Sequence, residues 1–165
     1  KNYLKRPVSN DLQIKAFEIV ADKKYTTVAN SIIGMPDENR DLIFDTIKLV
    51  RKLPKSIDAT GAFIFAAYHG TALRDVAIQK GYIKDEDICS VSNTANESML
   101  NMPTISKEEI TGINRTFSFY VKFPESRWNE IKIAEKNDPA GNAMFEKLGK
   151  EFDTTFRNYD KIDLH

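Results

Sequence analysis

Cysteine is almost missing from this chain: 165 residues carry one thiol, Cys89. A single cysteine excludes an internal disulfide and any metal cluster held by thiolates of this chain alone. It also fits a reducing, cytoplasmic compartment. Histidine is scarce as well, with only His69 and His165, so metal-ligand spacings are absent. Neither sign of charge is in excess: 24 basic residues face 24 acidic ones. No run of Lys and Arg exceeds two, which leaves no field for a polyanion and makes nucleic acid an unexpected partner. No apolar run reaches the ~18 residues of a membrane span, and no signal-peptide pattern opens the chain. Gly-Lys-Ser/Thr is lacking, as are the repeated glycines of a dinucleotide fingerprint.

What is present describes a folded protein. The 41% hydrophobic content, with 10% aromatics, excludes general disorder. A chain of this length makes one domain, or a compact unit with an extension. Because it opens on Lys1 in mid-pattern, it is expected to be a piece of something longer.

Residues 9–24 predict a helix capped by Ser9 or Asn10, with Leu12, Ala16, Phe17, Ile19 and Val20 at helical spacing and Lys23-Lys24 at its end. The β-branched run from Tyr25 to Ile33 predicts a buried strand. A helix follows, with Asp37, Glu38 and Asp41 in its first turns, Arg51 and Lys52 in its last, and Pro54 as a stop. Ile57 to Phe65 predicts a second strand. Thr71 then stands as a cap for a helix through Lys80, closed by Gly81. Helix, strand, helix, strand, helix with short connections means parallel strands joined by crossovers. Two such strands make an incomplete α/β layer.

Beyond Ile83 the composition changes. Lys84 to Asn101 is polar and turn-rich. Ser106 with Glu109 predicts a capping box for a helix that puts Ile110, Ile113, Phe117, Tyr120 and Val121 on one face and stops at Pro124. Two more helical stretches follow, one around Trp128, Ile131 and Ala134 and one from Met144 to Phe156. The expected division is a unit over residues 1–83 and a helical extension over 84–165.

The turn Gly34-Met35-Pro36-Asp37-Glu38 is the first candidate site. A strand that ends on glycine and passes directly into a helix leaves backbone N–H groups facing a crevice. The plainer alternative is a tight strand-to-helix turn with an acidic cap. Tyr68-His69-Gly70-Thr71 is the second. His69 at a strand's carboxyl end suits a general base, or is an ordinary turn residue. Cys89 lies in a polar loop without a nearby histidine, against a nucleophile role. Asp85-Glu86-Asp87 and Glu108-Glu109 are expected to be solvated, and Phe117, Phe119, Tyr120 and Phe123 to be core.

Three stretches together resemble the radical S-adenosylmethionine proteins, in the class that often carries a cobalamin-binding domain and includes the magnesium-protoporphyrin ester cyclases. They are Leu4-Lys5-Arg6 before the Ser9 helix, Ile32-Ile33-Gly34-Met35-Pro36-Asp37-Glu38-Asn39 with Asp45-Thr46 in its helix, and Phe65-Ala66-Ala67-Tyr68-His69-Gly70-Thr71-Ala72-Leu73 ending in Gly81-Tyr82-Ile83. The family pattern runs roughly Ile-Ile-Gly-Leu-Pro-Gly-Glu-Thr, then Phe-x-Pro-Tyr-Pro-Gly-Thr-x-Leu. The match covers the first half of the chain. It departs at Asp37 for Gly, Asn39 for Thr, and Ala67 and His69 for two prolines.

The resemblance implies the second half of a partial (β/α)6 TIM-like barrel, these strands being its fifth and sixth. It places Ile32 and Gly34, with Phe65 and Ala67, around the adenosine of S-adenosylmethionine. It also implies a 4Fe-4S cluster on a three-cysteine loop, cleavage of the cofactor to a 5′-deoxyadenosyl radical, and cobalamin in some members. The cysteine loop is missing from these 165 residues, so the chain is expected to be inactive alone and to need the upstream half of the same barrel as its partner. The competing expectation is a free-standing α/β binding or scaffold module without catalytic activity.

Overall fold

The computed structural model describes residues 7–23, 27–57 and 61–156. Helix α1 spans Asn10–Asp22 and strand β1 Ser31–Ile33. Helix α2, Arg40–Arg51, leads to strand β2, Ala62–Ile64, and helix α3 is Ala72–Gln79. After a 3-10 turn at Val91–Thr94 come the long helix α4, Lys107–Lys122, a 3-10 turn at Glu125–Arg127, helix α5, Trp128–Ala134, and helix α6, Pro139–Phe156. The protein is mixed α/β and mainly helical.

β1 and β2 pair in parallel, Ser31 opposite Ala62, Ile32 opposite Phe63 and Ile33 opposite Ile64. The Phe65 N–H extends the ladder to the Ile33 carbonyl at 2.7 Å. The expected strands, Tyr25–Ile33 and Ile57–Phe65, shrink to three residues each. With a single partner strand, little of either run gains a ladder bond. Ile57 instead closes a turn, donating to the Pro54 carbonyl at 2.9 Å. Lys24, Tyr25, Thr26 and residues 58–60 lie outside the described residues.

The helices begin where their caps allow. Ser9 accepts the Leu12 N–H at 3.2 Å and Ser106 the Glu109 N–H at 3.1 Å. In α2 the cap is Asn39, whose side chain accepts the Leu42 N–H at 3.0 Å. Asp37 and Glu38 therefore precede the helix rather than filling its first turn. Thr71 holds the cap position of α3, but its hydroxyl donates to the Tyr68 carbonyl at 2.7 Å and caps nothing. Arg51 does more than complement its own helix dipole. Its Nη1 donates to the carbonyls of Tyr120, Val121 and Phe123 at 2.6, 2.9 and 2.7 Å, and so satisfies the end of α4.

The core starts on one face of the sheet, where Ile33 and Ile64 are buried under Ile43 and Ile47 of α2 and Ile110, Ile113 and Phe117 of α4. It continues through Phe119 and Tyr120 to Ile131, Leu148 and Phe152. Residues of 1–83 and of 84–165 thus share one cluster. The opposite sheet face is bare: Ile32 is 57% and Phe63 52% exposed. Helix α1 keeps its apolar stripe but buries none of it fully: Phe17 and Val20 are half-buried, and Leu12 and Ile19 are more than half exposed.

Close packing of α4 on α5 depends on Gly112. A Cβ there would meet the Glu135 carbonyl oxygen at 2.7 Å, a backbone atom that cannot swing away. Gly149 of α6 has only the Phe119 ring, at 4.0 Å. Gly112→Ala is expected to lose about 1–3 kcal/mol in urea unfolding. Gly149→Ala should gain about 0.5–1 kcal/mol from helix propensity.

Candidate functional site

The Gly34 turn sits at the carboxyl ends of β1 and β2, where α/β proteins hold ligands. Gly34 has φ 79° and Asp37 φ 64°, two left-handed residues that fold the chain back within four positions. Glu38 closes the turn. Its Oε2 accepts the N–H of Gly34 and that of Met35, the latter at 3.1 Å. Asp37 accepts the Tyr82 hydroxyl at 2.6 Å and lies 3.0 Å from Lys80 Nζ, while Thr104 donates to the Glu38 carbonyl at 2.6 Å. The turn is therefore fastened to the segment after α3 and to the entry of α4.

This geometry corrects the expectation of free N–H groups facing a crevice. Those donors are committed to Glu38, and the α2 terminus is capped by Asn39. Gly34 is not open to a ligand either: a Cβ there would lie 3.3 Å from Ile110 Cγ2 and 3.7 Å from Ile64 Cγ2. Close approach at Gly34 is made by helix α4.

The four expected adenosine-side residues separate. Ile32 points to the bare sheet face, while Gly34, Phe65 and Ala67 are buried. Ala67 is fixed at both ends, its N–H on Met99 Sδ at 3.4 Å and its carbonyl on Arg74 Nη1 at 2.9 Å. Tyr68 and His69 are exposed at the rim of the same end. Burial, partly offset by Arg74, raises the Cys89 thiol above its usual range, which disfavours a thiolate nucleophile. Leu4, Lys5, Arg6 and His165 lie outside the described residues.

Two charged residues were not foreseen. Arg74 is 2% exposed and donates to the carbonyls of Ala67, Asp85 and Asp87, tying the loop after α3 to the end of β2. Arg40 grips Glu135 in a fork, 2.9 and 2.6 Å, and Glu135 also accepts the Tyr120 hydroxyl. Burial, then the Glu135 bond, holds the Tyr120 phenol far above its ordinary range, so it stays a donor. The available signal was position: a cation at the first residue of α2 runs against the macrodipole, so another partner must hold it.

Among the described residues, no group of three His, Cys, Asp or Glu side chains is placed to hold a metal ion. Nor, among the described residues, is any helix long and apolar enough to cross a membrane. Comparison with family models, with characterised proteins and with solved structures finds no match to this chain.

Burial raises the Glu38 carboxyl above its ordinary value of 4.5, and its bonds to Met35 and Gly34 offset only part of that. A carboxyl with a raised folded-state pKa stabilises most when protonated, below 4.5, and that contribution fades as pH rises through the folded value. The stability of the protein relative to Glu38→Gln is therefore expected to be greatest near pH 4 and to shrink toward pH 7. Urea unfolding at stepped pH measures it.

Proposed function

We propose that the first half of this chain is the adenosine-side wall of a radical S-adenosylmethionine barrel, with β1 and β2 as the fifth and sixth strands of a partial (β/α)6 barrel. The reading keeps Ile32 as a residue against the adenosine. Gly34, Phe65 and Ala67 support that wall from behind.

The observation that carries this reading is the asymmetry of the sheet. Helices α2 and α4 cover one face, while Ile32 and Phe63 stand side by side on the other with half their surface exposed. A covered outer face and an uncovered apolar inner face are what a segment of a barrel wall presents. Two features agree. Asp37 holds the left-handed conformation at the place where the family pattern has glycine. Glu38, which the pattern shares, closes the turn through two backbone donors. The exposed part of the α1 stripe, Leu12 and Ile19, suits a helix that covers a strand preceding β1.

The residues present do not fit a 4Fe-4S cluster. Cys89 is one thiol, raised in pKa, and among the described residues it belongs to no group of three side chains that could hold a metal ion. In this reading the cluster ligands belong to sequence before Lys1, and these residues contribute shape and apolar contact only.

The test uses the complete reading frame that encodes this chain, purified anaerobically. A CxxxCxxC loop before Lys1, bound iron and sulfide, and dithionite-dependent release of 5′-deoxyadenosine are expected, with Ile32→Asp lowering that release about tenfold or more. A reading frame without such a loop sinks the proposal. Residues 1–165 expressed alone should aggregate and bind an apolar dye through the bare face, and Ile32→Lys with Phe63→Lys should suppress both. A monodisperse chain with one cooperative melt would favour the free-standing module.

A further inference from the structure

A cleft of ≈ 830 Å³ opens between the first turns of α4, the end of α5 and the start of α6, with no residue of the sheet in its lining. Its lining balances acids against bases, but the two signs are committed differently. Glu135 is held by Arg40 and Tyr120, and Glu109 lies 3.7 Å from Arg40. Asp138 accepts the Gly141 N–H at 2.7 Å and so caps α6. Glu108 is bound at the head of α4 by Ser106 and its own backbone N–H. Glu97 is the remaining acid, and it is exposed.

The bases keep capacity. Arg115 is fixed in place: its guanidinium stacks 4.2 Å from the Phe145 centroid, and Nη1 donates to Asn142 Oδ1 at 3.0 Å and to the Lys136 carbonyl at 3.4 Å. Both acceptors are neutral. Among the described residues, no carboxylate makes an ion pair with Arg115, Lys132 or Lys136. A solvated lysine alone signifies little. A guanidinium held rigid by neutral groups, with donors to spare and two lysines on the same cleft, is a pre-organised receptor for an oxyanion. The volume lies within the usual range for small-molecule sites.

We propose that this cleft binds a small oxyanion of charge minus two or more, a phosphomonoester or a di- or tricarboxylate, on Arg115, Lys132 and Lys136. The site is independent of the barrel reading and shares no residue with the Gly34 turn. Its test is calorimetric titration of the full chain at low ionic strength with inorganic phosphate and, separately, with citrate. Saturable binding of either is expected; phosphate alone assigns phosphorylated ligands and citrate alone polycarboxylates. Lys132→Gln with Lys136→Gln changes two exposed side chains and should weaken binding about tenfold or more. Arg115→Ala should do the same, with circular dichroism checking its fold. Lys15→Gln with Lys150→Gln, far from the cleft, should leave affinity within about twofold. Absence of saturable binding up to about 10 mM ligand, or binding that survives the three cleft substitutions, overturns the site.

Discussion

A two-stranded parallel sheet has no stability of its own in water, so everything at the carboxyl end of β1 and β2 depends on the helix laid across them. That helix is α4, and the contact that seats it is Ile110 against Gly34 and Ile64. Gly34 serves this contact twice. Its positive φ turns the chain off the strand, and its missing side chain lets Ile110 reach the ladder. Each fully buried Ile at this junction is worth about 1.5–3 kcal/mol. Losing the seat would uncover Ile33 and Ile64 together.

Three arginines, Arg74 buried and Arg40 and Arg51 half-buried, tie separate parts of the fold together. Arg51 answers the carbonyls at the end of α4, Arg74 those of the loop behind β2, and Arg40 the carboxylate of Glu135 at the end of α5. The first two use only backbone oxygens as partners. A planar five-donor group can satisfy several carbonyls at once, which a lysine could not do with the same fixed geometry. Arg40 holds the start of α2 and Arg74 the end of β2, both near the Gly34 turn, whereas Arg51 joins the opposite ends of α2 and α4.

Much of the architecture was legible in local pattern. Helix positions followed from 3.6-residue periodicity and from Ser9 and Ser106, whose side chains do accept the predicted N–H groups. The aromatics of α4 were expected in the core, and Phe117, Phe119, Tyr120 and Phe123 are all buried. Strand lengths failed because a ladder needs a partner as well as a β-branched run. At the Gly34 turn, spacing shows that Glu38 lies four residues from Gly34, but only the folded turn shows its carboxylate accepting the Gly34 and Met35 N–H groups. Arg40 and Glu135, 95 positions apart, leave no joint trace in a single sequence.

The sequence by itself determined the element types, the parallel relation of two short strands and the identity of the core aromatics. Each of these is set by composition or by neighbours within a few positions. Tertiary structure alone decided that one sheet face is sealed while the other is bare, that α4 and not a ligand occupies the hollow at Gly34, and that the cations of the α4–α5–α6 cleft outlast its acids. Those outcomes depend on groups brought together from distant parts of the chain, where burial and pairing fix which charges and donors remain available.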